Sequence, residues 1–116
     1  MRKKTILTLS VIAALLGASH TALTALIYPS WSLDALWFLG AGLAMMLAAA
    51  INFLAYRSLP QAPRAIAVVT NAAMAGFFGS AWPLLPAPQV ALGGAVFVVL
   101  TVVWLWRPQS VPNAAS

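Results

Sequence analysis

His20 and Asp34 exhaust the usual catalytic and metal-binding side chains of this sequence, which has no glutamate and no cysteine. Without cysteine there is no disulfide, thiolate nucleophile, iron–sulfur cluster or Cys-based zinc site. Paired carboxylates and a HExxH helix are excluded, a Ser–His–Asp motif is unsupported, and no Gly-rich phosphate loop follows a strand pattern. A lone imidazole could still ligate haem or a metal, but only with a second ligand from a symmetry-related copy or from the cofactor itself. The sequence therefore predicts no catalytic residue, no cofactor and no resident metal.

His20 is the sharpest site candidate, because ionisable groups inside a membrane span are costly and are functional suspects by default. Reflecting the chain through its expected turns puts Gly40, Gly79 and Gly93 near the level of His20, with Ser80 beside them. These five residues predict a small pocket in the outer half of the protein. The alternative is a neutral imidazole bonded to Thr24, Ser80 or a backbone carbonyl. Asn52, Asn71 and Thr101 form a second polar group, expected to make interhelical hydrogen bonds worth on the order of 0.6–2 kcal/mol each. A polar lining for a substrate path is the alternative reading of the asparagines. Asp34 reads as a helix-start residue, and its distance along the chain from His20 argues against direct contact. Met45, Met46 and Met74 read as apolar filler.

The elements that must hold these residues are membrane spans. Of 116 residues, 63% are hydrophobic and 6% charged, against about 25% charged in an ordinary soluble domain. Four apolar stretches, residues 5–27, 33–56, 65–82 and 90–106, are separated by the Pro29 turn, an inner connection with Arg57, Pro60, Pro63 and Arg64, and a Pro83–Pro86–Pro88 turn. The basic residues are Arg2, Lys3, Lys4, Arg57, Arg64 and Arg107, and the two outer turns have none. This predicts an all-α bundle of four transmembrane helices with both termini inside, filling residues 1–107, and a short disordered cytoplasmic tail at 108–116. The net charge of +5 then serves orientation and contact with anionic headgroups, so no nucleic-acid partner is expected. The basic start and apolar run also resemble a signal peptide with a cleavage site near residues 17–19, but the apolar character continues through Ile27, as an uncleaved span requires.

Small residues recur at helical spacing: Ser10, Ala13, Gly17, His20 and Thr24 on span one, Gly40, Ala44, Ala48 and Asn52 on span two, and Ala67, Asn71, Ala75 and Gly79 on span three. Close approach through small residues favours helix association in lipid. The last two lines are expected to face each other, pairing Gly40 with Gly79, Ala44 with Ala75 and Ala48 with Asn71. Leu, Ile, Val and Phe are expected to face lipid.

The length and four-span layout resemble the small multidrug resistance transporters. The resemblance is architectural, covers the whole chain and carries no motif. Those transporters couple to protons through a glutamate in the first span, where this chain offers only His20. The sequence favours a small, non-enzymatic protein of a bacterial inner membrane, acting through helix contacts with itself or another membrane protein. The runner-up is a small transporter or ligand-binding protein that uses the interior around His20.

Overall fold

The chain is all-helical over the residues that the computed structural model describes, 2–57 and 61–106. Helix α1 spans Arg2–Ile27, α2 Leu33–Arg57, α3 Gln61–Ala81 and α4 Pro88–Leu105. Helices α1, α2 and α4 are long and apolar enough to cross a membrane, as in a small membrane protein. Helix α3 has 21 residues but carries Arg64 and Asn71, and it is not among the helices that reach that apolarity.

Two helices begin earlier than the apolar pattern suggests, both through proline. Pro63 was expected in a connection, yet it lies in the first turn of α3. Pro88 was expected in a turn, yet it opens α4 behind an extended Ala87. The first N–H groups of a helix have no intrahelical acceptor, so proline loses nothing there and its φ is already helical. One consequence is that Arg64 belongs to a helix and not to a loop. Helix α2 starts as expected: the Ser32 hydroxyl accepts a hydrogen bond from the Ala35 N–H at 3.2 Å, and Asp34 sits in the first turn. The tail at 108–116 lies outside the described residues.

Each helix packs on its chain neighbours, and α4 returns against α1. The tightest approach joins α1 to α2 at Gly17 and Gly42. A Cβ on Gly17 would sit 2.6 Å from the Gly42 carbonyl oxygen, and one on Gly42 would sit 2.8 Å from that of Gly17. Only glycine allows two backbones this close, which maximises dispersion contact where lipid offers no hydrophobic drive. Helices α3 and α4 meet differently, with the Phe78 ring lying on Gly93, where a Cβ would come within 2.5 Å of it. Phe78 also stacks on Phe97, with ring centroids 5.9 Å apart.

The core is therefore not made of small residues alone. Helix α4 buries Val96, Phe97, Leu100 and Trp104 against the small faces of the other helices, a correction to the expectation that bulky residues face lipid. An apolar sequence all round α4 has no polar stripe to mark its inner face.

The C-terminus of α4 is held by two arginines from other helices. Arg2 Nε donates to the Val103 carbonyl at 3.1 Å, with its guanidinium 5.6 Å from the Trp104 ring centre. Arg64 donates from Nε to Trp104 O at 2.9 Å and from Nη2 to Leu105 O at 3.2 Å. The Trp106 N–H takes the Val102 carbonyl. Carbonyls that a helix end leaves without partners are thus satisfied, and the cations complement the negative end of the helix dipole.

Candidate functional site

The polar residues form two unlike groups at opposite ends of the helices. Near the end that carries Arg2, Arg57 and Arg64, Asn52 and Asn71 are both fully buried, at 0% exposure. They exchange two hydrogen bonds, Asn52 Nδ2 to Asn71 Oδ1 at 2.7 Å and Asn71 Nδ2 to Asn52 Oδ1 at 2.8 Å. Asn52 Nδ2 also donates to the Ala48 carbonyl at 2.8 Å, and Trp104 Nε1 donates to Asn52 Oδ1 at 2.7 Å. Asn52 thereby fills both donors and both acceptor positions of its amide. The network ties α2, α3 and α4 together.

Thr101 does not join it. Its hydroxyl donates to the Phe97 carbonyl one turn back in α4, at 2.8 Å. The third interhelical partner is Trp104, which lay outside the polar group expected from the sequence. Its indole N–H is a strong donor beside a buried amide, and burial of the ring supplies the drive to put it there.

At the other end a cavity of about 450 Å³ opens between the α1–α2 and α3–α4 hairpins. Its walls are Tyr28, Trp37 and Phe38 from the first hairpin and Phe77, Phe78, Leu84 and Leu85 from the second. His20, Asp34 and Gln89 supply its polar groups. The His20 ring stacks on Phe38 at 4.4 Å between centroids, and Tyr28 tilts against the same Phe38 at 5.7 Å. His20 is half-buried; its carbonyl accepts the Thr24 hydroxyl at 2.9 Å. Asp34 and His20 thus share one cavity lining while lying on different helices.

The cavity follows from side-chain volume. At the basic end α2 and α3 present Ala48, Asn52, Ala67 and Asn71, all buried, and the helices close on the amide pair. Toward the other end they present Phe38, Phe77 and Phe78, which hold the hairpins apart. Rings that cannot all interdigitate leave space between their faces.

The glycines expected around His20 are not in this lining, and three corrections follow. A Cβ at Gly40 or Gly79 would meet nothing within 4 Å, so these two do not pair. Gly79 instead lines a shallow outer groove with Trp82 and Gly94. Ser80 is exposed and donates to its own helix at Phe77 O, 2.8 Å away. Gly93 is buried, but Phe78 takes the space beside it. The lining residues Phe38, Phe77 and Phe78 are within two residues of Gly40 and Gly79 in the chain. The facing was wrong: two residues turn a helix by roughly 200° and one by roughly 100°. The aromatic pairs Trp37–Phe38 and Phe77–Phe78, each close to a turn at this end of the helices, were the available signal for the walls.

Among the described residues no three His, Asp or Glu side chains cluster as metal ligands would. No family model, curated protein or solved structure matches this chain.

Proposed function

We propose that this protein crosses a bacterial inner membrane four times, with both termini inside, and binds a small apolar molecule bearing a cationic group. The reading is carried by the cavity that joins the chain's one acidic residue and one histidine to five aromatic rings. Its size falls within the roughly 300–1,000 Å³ of ligand sites. Aromatic faces attract cations by about 0.5–2 kcal/mol each, and Asp34 brings the one acidic side chain to the same lining. We infer a non-enzymatic role, because the His20 imidazole is engaged in a stack on the Phe38 ring.

A fourth crossing by α3 fits its length of 21 residues, about 31 Å at 1.5 Å per residue. Its costly groups are matched internally, Asn71 by Asn52 and Arg64 by the end of α4. All six basic residues then lie on the side of the termini. An alkaline phosphatase fusion after Arg107 should be inactive; an active one would overturn the topology.

The binding test is calorimetric titration of the purified chain with tetraphenylphosphonium, an apolar aromatic cation. Saturable binding that weakens at least tenfold in Asp34→Asn and in Phe38→Ala, but not in Gly40→Ala, is expected. Unsaturable partitioning alike in all four proteins would sink the site. Saturable flux of the same cation into liposomes would make the protein a transporter.

Helix association, which the sequence favoured, keeps one observation of its own. The buried small residues are used inside the chain, but Ala72, Gly76 and Ser80 recur every fourth position on an exposed face of α3, and a Cβ on Gly76 would meet open space. That spacing suits a second copy of α3. Crosslinking between copies, abolished by Gly76→Leu, is the expected sign.

A further inference from the structure

A second concavity lies at the basic end, on the outer surface of α1 and α2. It is a groove of about 310 Å³ lined by Leu7, Val11 and Ala14 from α1 and by Met46, Ala50 and Phe53 from α2. It is a consequence of the Gly17–Gly42 contact: the backbones meet there, while Ala14, Ala49 and Ala50 are too small to fill the seam beside them. The groove is open to lipid along its length. From Leu7 to Ala14 it extends about 10 Å along the helix axis at 1.5 Å per residue.

The mouth of this groove is cationic. Lys3 and Lys4 precede Leu7 by one helical turn and fall on its side of α1. Both are exposed. Arg57 follows Phe53 by one turn, and its guanidinium lies 5.7 Å from the Phe53 ring centre. Arg2 and Arg64 are already engaged by the carbonyls of α4. Lys3, Lys4 and Arg57 have no such duty, and the chain's one acidic residue, Asp34, stands at the opposite end.

We propose that this groove binds one anionic phospholipid, its acyl chain along Leu7, Val11, Ala14 and Phe53 and its phosphate between Lys3, Lys4 and Arg57. A neutral detergent or a zwitterionic lipid could fill the apolar seam equally well. Only a net-negative headgroup also answers the three cations at this end, each worth about a fivefold gain near a charged headgroup surface. The site thus selects by headgroup charge and holds by chain burial.

The test is native mass spectrometry of the full-length chain released from mixed phosphatidylglycerol and phosphatidylcholine. One tightly retained phosphatidylglycerol per protein is expected, preferred at least tenfold over phosphatidylcholine. Arg57→Gln, and separately Lys3→Gln with Lys4→Gln, should reduce that preference about fivefold or more. Ala50→Phe, which fills the seam without touching charge, should eject the lipid. Arg107→Gln removes another of the chain's six basic residues and should leave retention unchanged. Equal retention of the two lipids by the unaltered chain would overturn the proposal whatever the variants do. So would a loss in Arg107→Gln equal to that in Arg57→Gln, which would indicate diffuse attraction. Displacement by millimolar inorganic phosphate as effective as displacement by phosphatidylglycerol would assign the cations to a free anion and overturn the lipid site.

Discussion

The two ends of this molecule solve the same problem in opposite ways. Each must place polar side chains where lipid offers no hydrogen bond. At the basic end, small residues let α2 and α3 close until Asn52, Asn71 and Trp104 satisfy one another. At the other end, large rings hold the hairpins apart, and His20, Asp34 and Gln89 face a cavity. A closed amide network is a device for stability and register. An open aromatic one leaves a cavity between the hairpins, which is the basis of the proposed ligand site. The volume of the residues beside each polar group decides which of the two it becomes.

The largest expected effect comes from breaking the closed end. Asn52→Ala strips the Trp104 indole N–H and the Asn71 amide of partners at once. Two buried unpaired groups cost about 1–3 kcal/mol each, so a loss of about 2–6 kcal/mol is expected in unfolding by a denaturing detergent. Replacing both asparagines by leucine should cost less than the sum of the single changes, because the pair then leaves no orphaned amide behind. Strict additivity would mean that the two amides do not depend on each other. Tetraphenylphosphonium affinity should be unaltered, since the cavity lies at the opposite end.

A sharper contrast separates two glycines within one turn of α2. Gly42→Ala puts a Cβ 2.6 Å from Thr21 Oγ1 and 2.8 Å from the Gly17 carbonyl. Backbone cannot yield there, so α1 and α2 must part, at about 1–3 kcal/mol. Gly40→Ala meets nothing and gains helix propensity, so it should stabilise by up to about 1 kcal/mol. Thermal unfolding of the two variants in one detergent should move in opposite directions. A loss in both would place Gly40 in a helix contact after all.

These residues also mark how far the sequence could be read. Four helices were legible from apolar length and from proline and basic punctuation. So was the inward face of α1, because Ser10, Ala13, Gly17, His20 and Thr24 form its one small and polar line, and all but the half-buried His20 are buried. The approach of Asn52 to Asn71 was legible because amides in lipid must find partners and two were available at nearly one depth. Rotation was the weak link. Gly40 and Gly42 lie about 200° apart on α2, and composition cannot say which of them meets a neighbour. The same ambiguity hid the cavity walls, since Phe38 and Phe77 are equally at home against lipid. Arg2 and Arg64 read as topological charges, because nothing local announces that a guanidinium will reach the end of another helix.

The smallest effect tests where a hydroxyl points. Thr101 was expected to bond across helices with the asparagines, but its Oγ1 donates to Phe97 O within α4. Such back-bonding exists in an isolated helix too, so it adds little to the association of helices. Thr101→Val keeps the shape and β-branching and removes only the hydroxyl. Phe97 O keeps the Thr101 backbone N–H, four residues on in the helix, so no carbonyl is orphaned. The cost should be under about 0.5 kcal/mol, the range of a substitution that disturbs no packing or shared network. In a double-mutant cycle with Asn71→Leu, the two changes should add, because no bond joins them. A coupling above about 1 kcal/mol would show that Thr101 does reach the amide pair in the bilayer. The closed end would then tie α4 in through two side chains instead of through Trp104 alone.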